Sequence, residues 1–176
     1  IFSILLLLPV LTGAANEPPS TRPNMLVILC DDLGFGDTSL TGHPVIQTPR
    51  IEALRTQSAF CTHYYAPANI CSPSRAAMLT GRMPYRLGIY SFIRDAQDYV
   101  HLDRSEVTLP QVLQKVGYQC ANIGKWHVSH LDATGPRGIP TMREYGFDYW
   151  LSSDNNLKIL NKPDWWRNEK RLGTIN

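Results

Sequence analysis

Met25-Leu26-Val27-Ile28-Leu29-Cys30 runs without a break into Asp31-Asp32. Six apolar residues with no polar alternation predict a strand buried on both faces, as in a parallel sheet. The two carboxylates close it at the carboxyl end, where α/β sheets bind their ligands. Downstream, Leu33 to Pro44 holds three Gly and one Pro and reads as a loop. Thr48-Pro49 suits an N-cap followed by Pro at the first helical position, with Ile51, Leu54 and Ser58 after it at helical spacing. Phe60 to Tyr65 has the composition of a short strand. Ser72 to Leu79 reads as a helix stopped by Gly81. Leu109-Pro110 opens another, with Val112, Leu113 and Val116 on one face and Gly117 as its end. Tyr118 to Ile123 and Phe147 to Leu151 are further strand candidates. Strands alternating with helices give an α/β class, and there is no internal repeat.

Upstream, Glu17 to Pro23 carries three prolines and forms an extended lead-in. Ile1 to Val10 is apolar, and Thr12-Gly13-Ala14-Ala15 supplies small residues after it. This is the pattern of a secretory signal peptide over residues 1–15 whose basic start is cropped. The run is about half the roughly 20 residues that span a bilayer, so no stable membrane anchor is expected. The chain has 176 residues, 17 Lys+Arg against 15 Asp+Glu, 43% hydrophobic and 18% charged residues. That composition is globular and excludes a disordered or collagen-like chain. The charge balance argues against a nucleic-acid partner. Four Cys are too few for a disulfide-built miniprotein.

Three constellations carry possible chemistry. Adjacent Asp31 and Asp32 repel each other, and a hard divalent cation offsets that charge; taken alone, the two residues favour a solvated strand-to-loop turn. Cys71-Ser72-Pro73-Ser74-Arg75 puts Cys71 at a helix N-terminus, which favours anions and lowers a thiol pKa. A buried structural Cys and a capped surface helix are the other readings. The spacing from Cys71 to Arg75 is too short for a phosphatase-type cysteine loop. Gly124-Lys125-Trp126-His127 follows a strand, and on an extended segment Lys125 and His127 point the same way. A cation and an imidazole together suit an anionic substrate and proton transfer; a solvated Lys beside a satisfied His is the alternative.

Together these residues form a pattern. Cys71-Ser72-Pro73-Ser74-Arg75 followed by Leu79-Thr80-Gly81-Arg82 resembles the signature of the formylglycine-dependent sulfatases, within the alkaline phosphatase superfamily. Gly124-Lys125-Trp126-His127 is similar to their second signature, and Asp31-Asp32 to their first pair of metal ligands. The likeness runs from Pro23 to about Trp166, and its Gly42 to Tyr90 part is similar to arylsulfatases and N-acetylgalactosamine-6-sulfatases. It implies a three-layer α/β/α fold on a large, mostly parallel sheet. It also implies sulfate ester hydrolysis, on a sulfated carbohydrate or an aryl sulfate. By the resemblance, Cys71 is oxidised to formylglycine by a formylglycine-generating or radical maturation enzyme, and its hydrate is the nucleophile. Asp31, Asp32 and the converted residue 71 bind Ca²⁺ in preference to Mg²⁺. Arg75 holds the diol, Lys125 binds sulfate and diol, and His127 takes or positions the diol proton. An exported protein follows from the leader.

The resemblance also implies what is missing. The family takes an Asp-Asn or Asp-His pair, a second His and a second Lys from further along. Asp154-Asn155 and Asp164 lie too near the second signature to be that pair. Residues 24–176 are therefore expected to be the N-terminal part of a catalytic domain, with the remaining ligands beyond Asn176. Gly146 to Asn156 carries no assigned role. Tyr149, Trp150, Trp165 and Trp166 suit core or lid packing better than sugar stacking. Cys30 and Cys120 are expected as core thiols. Two other readings share the residues: a phosphodiesterase or phosphonate monoester hydrolase of the same superfamily, and a truncated non-catalytic product.

Overall fold

The computed structural model describes residues 22–93, 100–131, 138–153 and 164–174. The expected leader over residues 1–15 lies outside them. The chain divides into two units, Ile1–Ala66 and Pro67–Asn176.

In the first unit a 3-10 turn, Ser39–Thr41, precedes helix α1, Pro49–Arg55. Pro49 opens α1 as expected, but Thr48 does not cap it with its side chain. The Thr48 hydroxyl is committed to Ser39 instead, 2.8 Å from Ser39 Oγ and accepting from Ser39 N–H at 3.2 Å. The strand expected at 25–30 is not formed: no residue of this stretch belongs to a ladder among the described residues. Met25, Leu26, Val27 and Ile28 are between 39% and 46% exposed. A two-face-buried strand exists only when neighbours hydrogen-bond to its edges and cover its faces, and no described strand does so here. Cys30 is half-buried and is not a strand residue. Phe60 to Tyr65 is likewise no strand; it turns at Thr62-His63, where Thr62 Oγ1 lies 2.9 Å from His63 Nδ1.

The second unit holds helix α2, Cys71–Thr80, a 3-10 turn, Pro84–Arg86, and helix α3, Leu109–Gln114. Helix α2 ends as anticipated: Gly81 adopts φ +68° and donates its N–H to Ala77 O at 2.8 Å. Helix α3 begins with a capping box that the reading above did not include. Thr108 N–H donates to Gln111 Oε1 at 2.8 Å, and Gln111 N–H returns to Thr108 Oγ1 at 3.5 Å. Of the apolar residues read on one face, Val112 and Val116 are exposed and Leu113 is half-buried; Pro110 is the buried residue of α3.

Among the described residues there is one sheet, in the order β1-β2-β3-β4, with β1 at Ala121–Lys125, β2 at Tyr149–Ser153, β3 at Asp164–Arg167 and β4 at Lys170–Thr174. Strands β1 and β2 are parallel, from Ala121↔Tyr149 to Lys125↔Ser153. The other two pairs are antiparallel, so the described sheet is mixed. The α/β class holds. Both β1 and β2 start later than expected, because the preceding residues close turns. Tyr118 N–H donates to Leu113 O at 3.2 Å, and Phe147 N–H to Met142 O at 3.1 Å. The β3–β4 hairpin was not anticipated. Its turn uses Asn168 at φ +50°, and Asn168 docks on β2 through both its backbone N–H to Trp150 O and its Oδ1 from Trp150 N–H, each 2.9 Å.

The core of this unit gathers Trp126, Tyr145, Phe147, Trp150, Trp166, Leu102, Val128 and Ile89. Trp126 meets Phe147 edge-on with ring centroids 5.5 Å apart. Trp150 and Trp166 are buried packing residues, whereas Trp165 is half-buried and Tyr149 exposed. Tyr145 OH donates to Leu102 O at 2.5 Å. Burial pushes this phenol above its ordinary range, against a smaller opposing effect of the Ser129 hydrogen bond. Folded protein thus keeps a proton that the unfolded chain releases above about pH 10. Stability is full below that pH and falls as pH rises past it. Tyr145→Phe should cost about 1–3 kcal/mol at neutral pH by orphaning the Leu102 carbonyl, and should flatten the alkaline decline. Urea midpoints at both pH values check this; an unchanged alkaline slope contradicts it.

Candidate active site

Helix α2 places Cys71 as its first residue, half-buried. Ile70 before it is extended and makes no side-chain cap. Pro73 has no N–H to lose in this first turn. The positive end of the helix dipole therefore acts on whatever residue 71 carries. One turn on, Arg75 is 9% exposed, and its Nη1 donates to Lys125 O at 2.8 Å. A guanidinium is buried this deeply only when it is partnered. Arg75 thus ties the first signature to the end of β1, where the second begins.

The Gly124-Lys125-Trp126-His127 segment turns sharply. Gly124 has φ +109° and His127 φ +62°. Trp126 N–H donates to Ser153 O at 3.0 Å and its indole N–H to Ser129 Oγ at 2.7 Å. The expectation that Lys125 and His127 face the same way by strand alternation is corrected, because a left-handed residue ends the alternation. Lys125 stays half-exposed at the strand end, while His127 is 1% exposed. A non-glycine residue in that conformation costs on the order of 1–3 kcal/mol and persists only when its surroundings enforce it. Here the Ile93 carbonyl does so, 2.8 Å from His127 Nε2. A carbonyl only accepts, so Nε2 carries the proton and the neutral ring has its lone pair on Nδ1. Ile93 N–H in turn donates to Ser72 Oγ at 3.1 Å. Ser72 and Ile93 were not singled out from sequence; nothing beyond the position of Ser72 inside the first signature pointed to them.

Asp31 and Asp32 belong to the first unit, and both are exposed. Asp32 has φ +58°, a conformation Asp tolerates better than most residues. Two adjacent carboxylates are the right kind of donor for a hard cation, but Ca²⁺ takes 6–8 oxygens. Among the described residues no group of three or more His, Cys, Asp or Glu converges on one point. None of the four cysteines is in a disulfide. Cys120, just before β1, has its thiol pushed up by burial, with Asp148 adding to the effect. Asp164 pairs with Arg171 at 2.6 Å, and Asp154-Asn155 lie outside the described residues.

The family model described as Sulfatase matches residues 23–171. The chain belongs to the sulfatase family. Its sequence is 39% identical to arylsulfatase A of Bos taurus over 138 residues, covering 78% of this chain and 26% of that protein. It is 37% identical to N-acetylgalactosamine-6-sulfatase of Homo sapiens over 150 residues, covering 81% and 27%. A solved Bacteroides thetaiotaomicron protein, described under metabolism of multiple glycosaminoglycans, is similar over 81% of this chain and 30% of its own, with a TM-score of 0.69 at 30% identity. The sulfatase chain thus spans about a quarter of the length of these curated relatives, 26% and 27%. No helix among its described residues is long and apolar enough to cross a membrane.

Proposed function

We propose that the whole protein hydrolyses sulfate esters, with sulfated carbohydrate as the substrate class. The observation that carries this is the buried Arg75, which joins the Cys71 helix to the Lys125 backbone in a chain of the sulfatase family. The sugar class is supported by the N-acetylgalactosamine-6-sulfatase relative and the glycosaminoglycan context of the solved neighbour. Formylglycine, if made from Cys71, would supply as its hydrate one hydroxyl to attack sulfur and a second to release sulfate as the carbonyl reforms. Asp31 and Asp32 would offer carboxylate oxygens to Ca²⁺, which would supply Lewis-acid charge stabilisation. The remaining ligands come from residues outside those described.

The chain's own groups then divide the work. A sulfate monoester transition state gathers negative charge on its oxygens, and a preorganised cationic site stabilises it. Arg75 and the α2 terminus supply fixed positive charge at residue 71. Lys125, half-exposed at the end of β1, binds the incoming sulfate. His127 accepts the diol proton at Nδ1 while the Ile93 carbonyl holds Nε2–H. Export and conversion of Cys71 by a dedicated maturation enzyme complete the reading.

Two measurements test it. Sulfate release from an aryl sulfate and from a sulfated N-acetylgalactosamine should far exceed cleavage of an aryl phosphate diester; the reverse order favours the phosphodiesterase reading. His127→Gln keeps an amide donor toward Ile93 O but removes the basic nitrogen. Turnover should fall about 10²–10⁴-fold with little loss of stability. A fall of less than about tenfold removes His127 from proton transfer.

A further inference from the structure

We propose that Ser72 is a positioning residue for His127, acting through the backbone of Ile93. The inference rests on the reading of His127 as the group that handles the diol proton. Ser72, Ile93 and His127 are 0%, 2% and 1% exposed. Ile93 gives its N–H to Ser72 Oγ at 3.1 Å and takes His127 Nε2–H on its carbonyl at 2.8 Å. Both polar groups of one buried residue are therefore committed, one to each side. Ile93 cannot move toward the helix or toward the ring without stretching the opposite bond, and its side chain is itself buried.

The consequence concerns the tautomer. The imidazole is useful as a base at Nδ1 only while Nε2 keeps its proton, and the Ile93 carbonyl is the group that enforces this. Its position is set in turn by the Ser72 hydroxyl. Ser72 directly follows residue 71 on the first turn of α2. One helix end therefore fixes the nucleophile position and, through a single intervening residue, the ring that serves it. Without the hydroxyl the Ile93 N–H is left buried and unsatisfied, and the segment relaxes away from its present position.

The test uses full-length protein with residue 71 converted and histidine labelled with ¹⁵N. In the wild type, the neutral His127 ring should be the Nε2–H tautomer alone. Ser72→Ala should give a mixture of tautomers, and turnover of an aryl sulfate should fall about 10–100-fold, the usual range for partners that orient a functional His. Ser72→Thr, which keeps the hydroxyl, should restore the single tautomer and most of the turnover. Turnover is normalised to the fraction of residue 71 converted, because Ser72 lies inside the signature read during maturation. If Ser72→Ala does not fold, Ser72→Cys replaces it, since sulfur is a weak acceptor of similar size; the same mixture is expected. An Nδ1–H tautomer in the wild type overturns the proposal. So does an unchanged tautomer with unchanged normalised turnover in Ser72→Ala or Ser72→Cys. The nitrogen spectrum reads the Ser72–His127 link even in a protein that releases no sulfate, so failure of the sulfatase reading is seen separately.

Discussion

Cys71→Ala is expected to abolish sulfate release and to leave the fold in place. The side chain is half-buried at the first position of α2, and Ala is the best helix former, so little packing or helix stability is lost. What is lost is the Cβ–Sγ bond, which the proposed conversion breaks as it oxidises Cβ to the aldehyde. Arg75 stays anchored to Lys125 O and His127 to Ile93 O, so the charge arrangement survives without its nucleophile. Such a site retains binding and residual stabilisation alone. A loss of about 10⁴-fold or more is expected, in line with other enzymes stripped of a covalent nucleophile. Sulfate release at constant circular dichroism checks it. Turnover within about 100-fold of wild type would remove Cys71 from the chemistry.

Gly146→Ala has the largest effect expected on stability. Gly146 has φ +89°, and a Cβ there would lie 2.5 Å from Gln111 N and 2.9 Å from both Gln111 Cα and Pro110 C. Those are backbone atoms of α3 and cannot rotate away. Relief requires α3 to retreat from the 144–146 turn, yet Thr108 Oγ1 donates to Tyr145 O at 2.6 Å and Gln111 Nε2 to Glu144 O at 2.8 Å. Left-handed strain, overpacking and the loss of a buried hydrogen bond act together, and about 3–5 kcal/mol of destabilisation follows. A urea midpoint is the direct check. A cost below about 1 kcal/mol would mean that α3 is not seated on this turn as described.

The contrast between elements shows what sequence alone can carry. Helix α2 was legible because its end is a local event: Gly81 takes the left-handed conformation wherever the helix sits. Strands β1 and β2 were legible as elements but displaced by two or three residues, because Tyr118 and Phe147 spend their N–H groups closing turns. The β3–β4 hairpin turns on Asn168-Glu169, which lacks a glycine, and is fixed instead by Asn168 bonding to Trp150 on another strand. That is tertiary information. Residues 25–30 failed for the opposite reason. Their apolar run specifies a strand only if neighbours exist, and no described strand pairs with it.

The site divides the same way. Cys71, Arg75, Lys125 and His127 were proposed from motifs, and the structure links Arg75 to the Lys125 carbonyl. The orientation of His127 was not legible, because left-handed backbone at a histidine leaves no mark in spacing. Nor was Ser72, whose partner Ile93 lies 21 positions away.

The central claim is that Cys71 is converted and used. Trypsin cuts after Arg55 and Arg75, which isolates Thr56–Arg75 with Cys71 inside it. Its mass in protein from the native host is the most direct test. The account predicts a peptide lighter than the thiol form by the difference between CH₂SH and CHO, reactive toward a hydrazide. A peptide that always carries an intact thiol at Cys71 would contradict it.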